Sequence, residues 1–239
     1  MDLSSKWDGL NDYLIASFWP VDRKGNRLSD ITVRAPLTDD ANLEATLSWN
    51  SPFENTSSEI LPTLQNMLQS GAIQPALQRV DNKSGSGLAS QATQIENKTT
   101  ITKLNSTQVF TGMPPVKFTV TALFRAWSDP RSEVEAPVDQ LMQWALPQEL
   151  AEDGSILIRL YDAVKTRDVN INTFFPSKSP TMIAMKYKTK TYLPLVIESI
   201  GIPISSPIDK SGNFVELAVP MQISTLAAID KADWAKYSK

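Results

Sequence analysis

Residues 116–127 alternate almost without a break. Val116, Phe118, Val120, Ala122, Phe124 and Ala126 fall on one side, and Lys117, Thr119, Thr121 and Arg125 on the other, with Leu123 the single apolar exception. A period of two marks a strand with one face in a core. A strand this long has to sit in a sizeable sheet, and most of the fold must be arranged to cover its apolar row. Val215, Leu217, Val219, Met221 and Ile223 repeat the pattern, although Pro220 inside that run predicts an edge position or a bulge. Ile183, Met185 and Tyr187, then Leu193, Leu195 and Ile197, predict a hairpin turning near 189–191.

Weaker strands are expected at 13–19, 31–34, 99–104 and 109–111, with turns at 22–26 and 209–213. Residues 43–49 alternate as well, so Leu43, Ala45, Leu47 and Trp49 are expected to be half-buried. Two helices are expected. The first covers 57–70, with Ile60, Leu64, Met67 and Leu68 on one face and Gly71 as its stop. The second covers 132–147, with Val138, Leu141, Met142 and Ala145 buried and Ser132 and Glu135 at capping-box spacing. Pro137 conflicts with a helix that starts at Ser132, because an interior proline removes a backbone donor.

The pattern is mainly β with flanking helices, an α+β chain. Its parts divide into strands plus a helix at 1–80, a Ser-Gly-rich linker at 81–95, a β-rich domain at 96–229 and a tail at 230–239. Trp49-Asn-Ser-Pro52 and Trp127-Ser-Asp-Pro130 each precede a Ser-Glu-led helix. This echo fits two similar halves. It also follows if strand-to-helix corners simply reuse Pro, Ser and Glu.

Composition narrows the chemistry. With 239 residues, 41% apolar and 21% charged, the chain can bury a core and is not of the disordered class. It has no cysteine and no histidine. Disulfides, thiolate sites and Ser-His-Asp catalysis are therefore excluded. A net charge of −3 offers no electrostatic reason to bind nucleic acid. No apolar run reaches the length of a membrane span, and the N-terminus lacks the apolar core of a signal peptide. Cytoplasmic synthesis is expected.

No phosphate-binding glycine motif occurs, and no cofactor or metal is expected. Asp39, Asp40 and Glu44 are the only carboxylate group that suggests acid–base work, and a solvated turn explains them more simply. Trp19, Trp49, Trp127 and Trp144 are expected in the core. Trp7, Trp234 and Tyr237 lie near the termini and are interface candidates. Lys186, Lys188 and Lys190 gather at one hairpin tip. They are candidates for an acidic partner, or they blunt an edge strand.

Several segments, in order, resemble baseplate proteins of contractile-tailed bacteriophages. They are Met67-Leu-Gln-Ser-Gly71, Phe110-Thr-Gly-Met-Pro-Pro-Val-Lys117, Arg125-Ala-Trp-Ser-Asp-Pro130, Val134-Glu-Ala-Pro-Val-Asp-Gln-Leu141, Pro194-Leu-Val-Ile-Glu-Ser-Ile200 and Ser206-Pro-Ile-Asp209. The resemblance runs over residues 40–234 and is least close in the linker. It implies a tail-tube-like β-sandwich or rolled sheet that forms a sixfold ring, a homohexamer. The implied partners are the tail tube protein, the baseplate hub and surrounding baseplate proteins, with no nucleic acid and no membrane. The implied role is structural, as tube initiator or "ripcord" in the virion tail, and not enzymatic. A tail-borne, carboxylate-based peptidoglycan hydrolase and a tail assembly chaperone are the alternatives.

Overall fold

A computed structural model describes residues 1–51, 103, 106–150 and 177–237. The helix expected at 57–70, the 81–95 linker and the strand at 99–104, apart from Lys103, lie outside the described residues. The fold is β-rich α+β. Two compact units separate: Met1–Thr46 with Pro114–Lys239, and Leu47–Met113. The expected 1–80 division is corrected accordingly. The N-terminal strands pair directly with strands from the C-terminal half, so one sheet joins both ends of the chain.

In the first unit, β1 (Asp2–Ser4), β2 (Ile15–Val21), β3 (Thr32–Pro36), β4 (Asn42–Glu44), β7 (Lys117–Arg125), β10 (Met182–Tyr187), β11 (Lys190–Ile200) and β12 (Glu216–Thr225) form one sheet. Their order is β1-β3-β2-β10-β11-β12-β7-β4. Just past β3, Leu37 bridges Ala122 of β7, and the Thr38 N–H donates to the Thr121 carbonyl at 3.0 Å. Strands near opposite ends of the order thus touch, and the sheet is rolled.

The inner row of β7 is the predicted one: Val116, Phe118, Val120, Ala122 and Phe124 are buried. Phe18, Ile183, Leu195, Leu217, Met221 and Ile223 are buried as well. β12 is a central strand, between β11 and β7, so the edge position expected from Pro220 is corrected. The Pro220 carbonyl accepts from the Gly201 N–H at 2.9 Å, just beyond the end of β11. The amide and carbonyl of a strand residue face the same neighbour. The missing N–H therefore points where the β11 ladder has already stopped. A register shift does occur, but on β11, between Ile197 and Ser199.

Helix α1 (Ala136–Ala145) follows a π-turn over Arg131–Glu135. That wider turn resolves the Pro137 conflict. Pro137 cannot donate to the Glu133 carbonyl as the fifth residue of an α-turn would. The Ala136 N–H bonds to the Arg131 carbonyl, and the Glu133 carbonyl accepts instead from the buried Ser5 hydroxyl at 3.0 Å. The buried stripe is Val134, Pro137, Val138, Leu141 and Trp144, and the expected Met142 and Ala145 are only half-buried. The Ser132–Glu135 capping box does not form. The Asp129 carboxylate accepts from the Ser132 N–H at 3.3 Å, and Glu135 accepts from the Phe214 N–H at 3.2 Å.

Two hairpin turns share one construction. Pro20-Val-Asp-Arg-Lys-Gly-Asn-Arg-Leu28 and Pro207-Ile-Asp-Lys-Ser-Gly-Asn-Phe-Val215 match in sequence and in hydrogen bonding. In each, one aspartate oxygen accepts two backbone N–H groups, from Lys24 and Asn26 or from Ser211 and Asn213. The other oxygen accepts from the asparagine amide. Gly25 and Gly212 take φ of 86° and 87°, the left-handed region. Their surroundings differ. A Cβ on Gly25 would lie 2.3 Å from Leu193 Cδ1, whereas one on Gly212 would meet nothing within 4 Å.

The remaining described strands make two short ribbons: β8 (Pro147–Glu149) with β9 (Lys178–Pro180), and β5 (Ser48–Asn50) with β6 (Val109–Gly112). The latter belongs to the second unit. The half-buried strand expected at 43–49 is corrected: β4 and β5 are separate, and Leu47 and Trp49 are exposed. Among the described residues, only β6 pairs with β5. Among the described residues no helix is long and apolar enough to cross a membrane.

The two matched turns give a paired prediction. Gly212→Ala should destabilise by about 1–2 kcal/mol through the left-handed backbone alone. Gly25→Ala should cost somewhat more, because the end of the Leu193 side chain must also shift. Urea unfolding of the two variants measures the difference.

Candidate interaction surfaces

Three surface regions gather the side chains that the sequence points to. The first surrounds Glu133. Its carboxylate is buried behind the corner between β7 and α1. It accepts from the Trp127 N–H at 2.6 Å, the Ser128 hydroxyl at 2.5 Å and the Ser128 N–H at 3.4 Å. Lys6 reaches the Ser128 hydroxyl at 2.9 Å and lies 3.7 Å from Glu133. Burial pushes the Glu133 pKa up, but the Ser128 hydroxyl and the Trp127 and Ser128 amides outweigh it and hold it below the ordinary glutamate value.

Over this anchor stand two indoles. Trp7 meets Trp127 edge-on, with ring centroids 6.3 Å apart. The Trp7 N–H is closed off from solvent and has no acceptor among the described residues. Trp127 is 58% exposed, so its expected core position is corrected. The Arg125 guanidinium lies 5.3 Å above its ring. Trp7 is therefore part of a packed corner and not of a loose arm.

The second region is the hairpin tip. Lys188 and Thr189 form the loop between Tyr187 and Lys190, and Lys188 takes a φ of 56°. The three lysines do not act together. Lys186 and Lys188 border a concavity of about 390 Å³ that also holds Arg27, Arg34, Asp12 and Tyr13. Arg34 pairs with Asp12 at 2.9 Å. Lys190 is directed elsewhere, with its ammonium 4.4 Å from the centre of the Trp234 ring.

The third region is the C-terminal helix α2 (Lys231–Lys236). Asp230 and Asp233 form its capping box. Tyr192 packs on Phe118 at 4.9 Å and on Tyr237 at 5.2 Å, and Trp234 meets Tyr237 at 6.2 Å. The Thr191 N–H donates to the Tyr237 carbonyl at 3.1 Å. Tyr237 is only 7% exposed, so its placement as an interface residue is corrected: it docks on the chain's own sheet. Burial raises its pKa, with Asp233 and Tyr192 adding to the shift. Trp234 remains 38% exposed at the rim of this cluster.

Of Asp39, Asp40 and Glu44 at the β4 end, all of them exposed, Asp40 has structural partners. Asp40 accepts from the Thr38 hydroxyl through one oxygen and from the Thr121 hydroxyl at 3.1 Å through the other. These bonds lower its pKa. A general acid needs the opposite shift. Among the described residues no group of three carboxylates is placed to hold a metal ion.

Sequence reasoning missed Ser5, the burial of Glu133 behind the corner and the outward turn of Trp127. Only the proline at 137, which leaves a carbonyl free inside a helix start, hinted that a hydroxyl from elsewhere was required. A scan against protein-family models found no match, and a search of curated proteins found none either.

The depressed Glu133 pKa makes a signed prediction. Its stabilising contribution is full above the unfolded-state glutamate pKa, and it disappears as the pH falls through the lower folded value. Glu133→Gln should lower stability at neutral pH by about 1.5–3 kcal/mol, the range for hydrogen bonds to a charged group. It should also flatten the loss of stability on acidification. Urea midpoints from neutral pH down to the acid limb check both effects.

Proposed function

We propose that the protein is a structural component of a contractile phage tail baseplate, joining the inner tail tube to the baseplate hub as a sixfold ring. One observation carries this reading: the surface leaves large aromatic side chains open in places where they are held rigid. Trp127 is anchored from beneath by Glu133 and covered by Arg125, yet faces water. On the second unit, Trp49 and Phe110 meet edge-on at 5.4 Å and are both about half exposed, as are Leu47 and Val109 next to them in the chain. Ordered tryptophan and arginine on a surface are the usual material of protein–protein contacts. Contiguous exposed apolar patches of this kind mark interaction sites.

The ordered segments that resemble baseplate proteins supply the rest, and a rolled sheet with a flanking helix suits a tail-tube-like subunit. Within this reading, the partners are further copies of the chain, the tail tube protein and the hub. The role as tube initiator or ripcord and the location in the virion tail belong to the same proposal. The hydrolase alternative loses support from Asp40, whose oxygens are both held by threonine hydroxyls.

Quantitative mass spectrometry of purified particles, scaled to the hub protein, tests the proposal. One ring predicts about six copies. Hundreds of copies would make the chain the tube itself. Absence from particles that require the gene for tail assembly would make it a chaperone, and normal infectious particles from a deletion strain would overturn any tail role.

A further inference from the structure

A cleft of about 450 Å³ opens between the 22–26 turn, β11 and the segment that follows β12. Its floor is apolar, with Leu193, Pro194, Leu226 and Ile229. Its lip is basic, with Arg23 and Lys24 on the turn. The third cation at the cleft, Lys236, is already bound to Asp233 at 2.7 Å. Arg23 and Lys24 are exposed, and neither makes a contact ion pair among the described residues. The turn beneath them is rigid, because its aspartate is saturated with donors. A firm apolar trough with two exposed cations at its edge, of which Lys24 also lies near Asp22, fits a segment that carries apolar side chains next to a carboxylate.

The chain displays such a segment itself. Residues 8–14 read Asp-Gly-Leu-Asn-Asp-Tyr-Leu. Leu10, Tyr13 and Leu14 are exposed large side chains. Asp12 is taken by Arg34, which leaves the exposed Asp8 as the free carboxylate. This segment cannot reach its own cleft. It leads directly into the start of β2, and the 22–26 turn leaves the end of β2. The strand's seven residues hold the two apart by roughly 23 Å at about 3.3 Å per residue. Trp7 is meanwhile fixed against Trp127.

We propose that the cleft takes residues 8–14 of a second copy of this chain. The contact is heterologous: each copy offers the segment at one end of β2 and the cleft at the other. Repetition of such a contact closes a ring or extends a filament, according to the rotation it imposes. The inference deepens the ring reading above and rests on it for the choice of a second copy as occupant.

Sedimentation velocity on the purified full chain tests it. The wild type should self-associate, and more weakly at high salt. Arg23→Glu with Lys24→Glu should raise the dissociation constant at least about tenfold, and Asp8→Lys should also raise it. The triple variant, which swaps the charges on both sides, should recover association. All three sites are exposed, and circular dichroism confirms that each variant is folded. A monomeric wild type, or variants that associate as the wild type does, would overturn the contact. The copy number in particles is a separate measurement: six copies together with unaffected variants would keep the ring reading and reject this cleft.

Discussion

Burial of the inner row of β7 is the constraint on which the rest of the fold depends. Val116, Phe118, Val120, Ala122 and Phe124 cannot all leave water against a flat, one-sided sheet. The roll solves this by bringing Leu37 and Thr38, just past β3, onto the far flank of β7. β12 covers the other flank along nine consecutive residues. With the sheet curled, the rows of β2, β10, β11 and β12 face the same interior, and the hydrophobic effect acts on one core instead of several weak ones.

The helix fits this core through a polar exchange that compensates for Pro137. Ser5 is the pivot. Its hydroxyl donates to the Glu133 carbonyl that Pro137 leaves free, and its oxygen accepts from the Arg125 N–H at 3.0 Å. One small side chain thereby ties the N-terminal strand, the end of β7 and the start of α1. Glu133 completes the corner by gathering the amides that leave β7. The π-turn is the backbone's adjustment to a proline placed where an α-turn needs a donor, and the Glu133 carbonyl that it frees finds its partner in the Ser5 hydroxyl.

The same corner presents a rigidly held, exposed surface. Rigid support from below and exposure above make Trp127 and Arg125 suitable for recognition, since little side-chain freedom is left to lose on binding. The aspartate turns act likewise on a smaller scale: their internal hydrogen bonds hold Arg23 and Lys24 outward. Such pre-set surfaces suit the assembly role proposed above, and paired carboxylates of unequal proton affinity facing a shared cavity would suit acid–base work. Asp40, Glu133 and Asp209 are all used in the opposite way, as saturated acceptors that brace turns and corners.

The sequence by itself determined the elements whose cause is local. The β7 and β12 rows, the 183–197 hairpin and the turns at 22–26 and 209–213 follow from period-two patterning and from Asp, Gly and Asn at fixed spacing. The repeated nine-residue turn was equally legible in the text, although only its matching hydrogen bonds make the likeness meaningful. What the tertiary structure decided was burial wherever the partner is distant in the chain. Trp127 and Trp144 are the same residue type in adjoining elements, yet one faces water and the other the core. Leu47 and Trp49 alternate like a core strand, yet both are about half exposed. Tyr237 looks like part of a loose tail and is buried, because Tyr192 and Phe118 wait beneath it. Pro220 stands in a central strand because β11 happens to stop beside it. Periodicity says which side chains share a face. What covers that face depends on contacts between distant residues, and those exist only after the sheet has rolled.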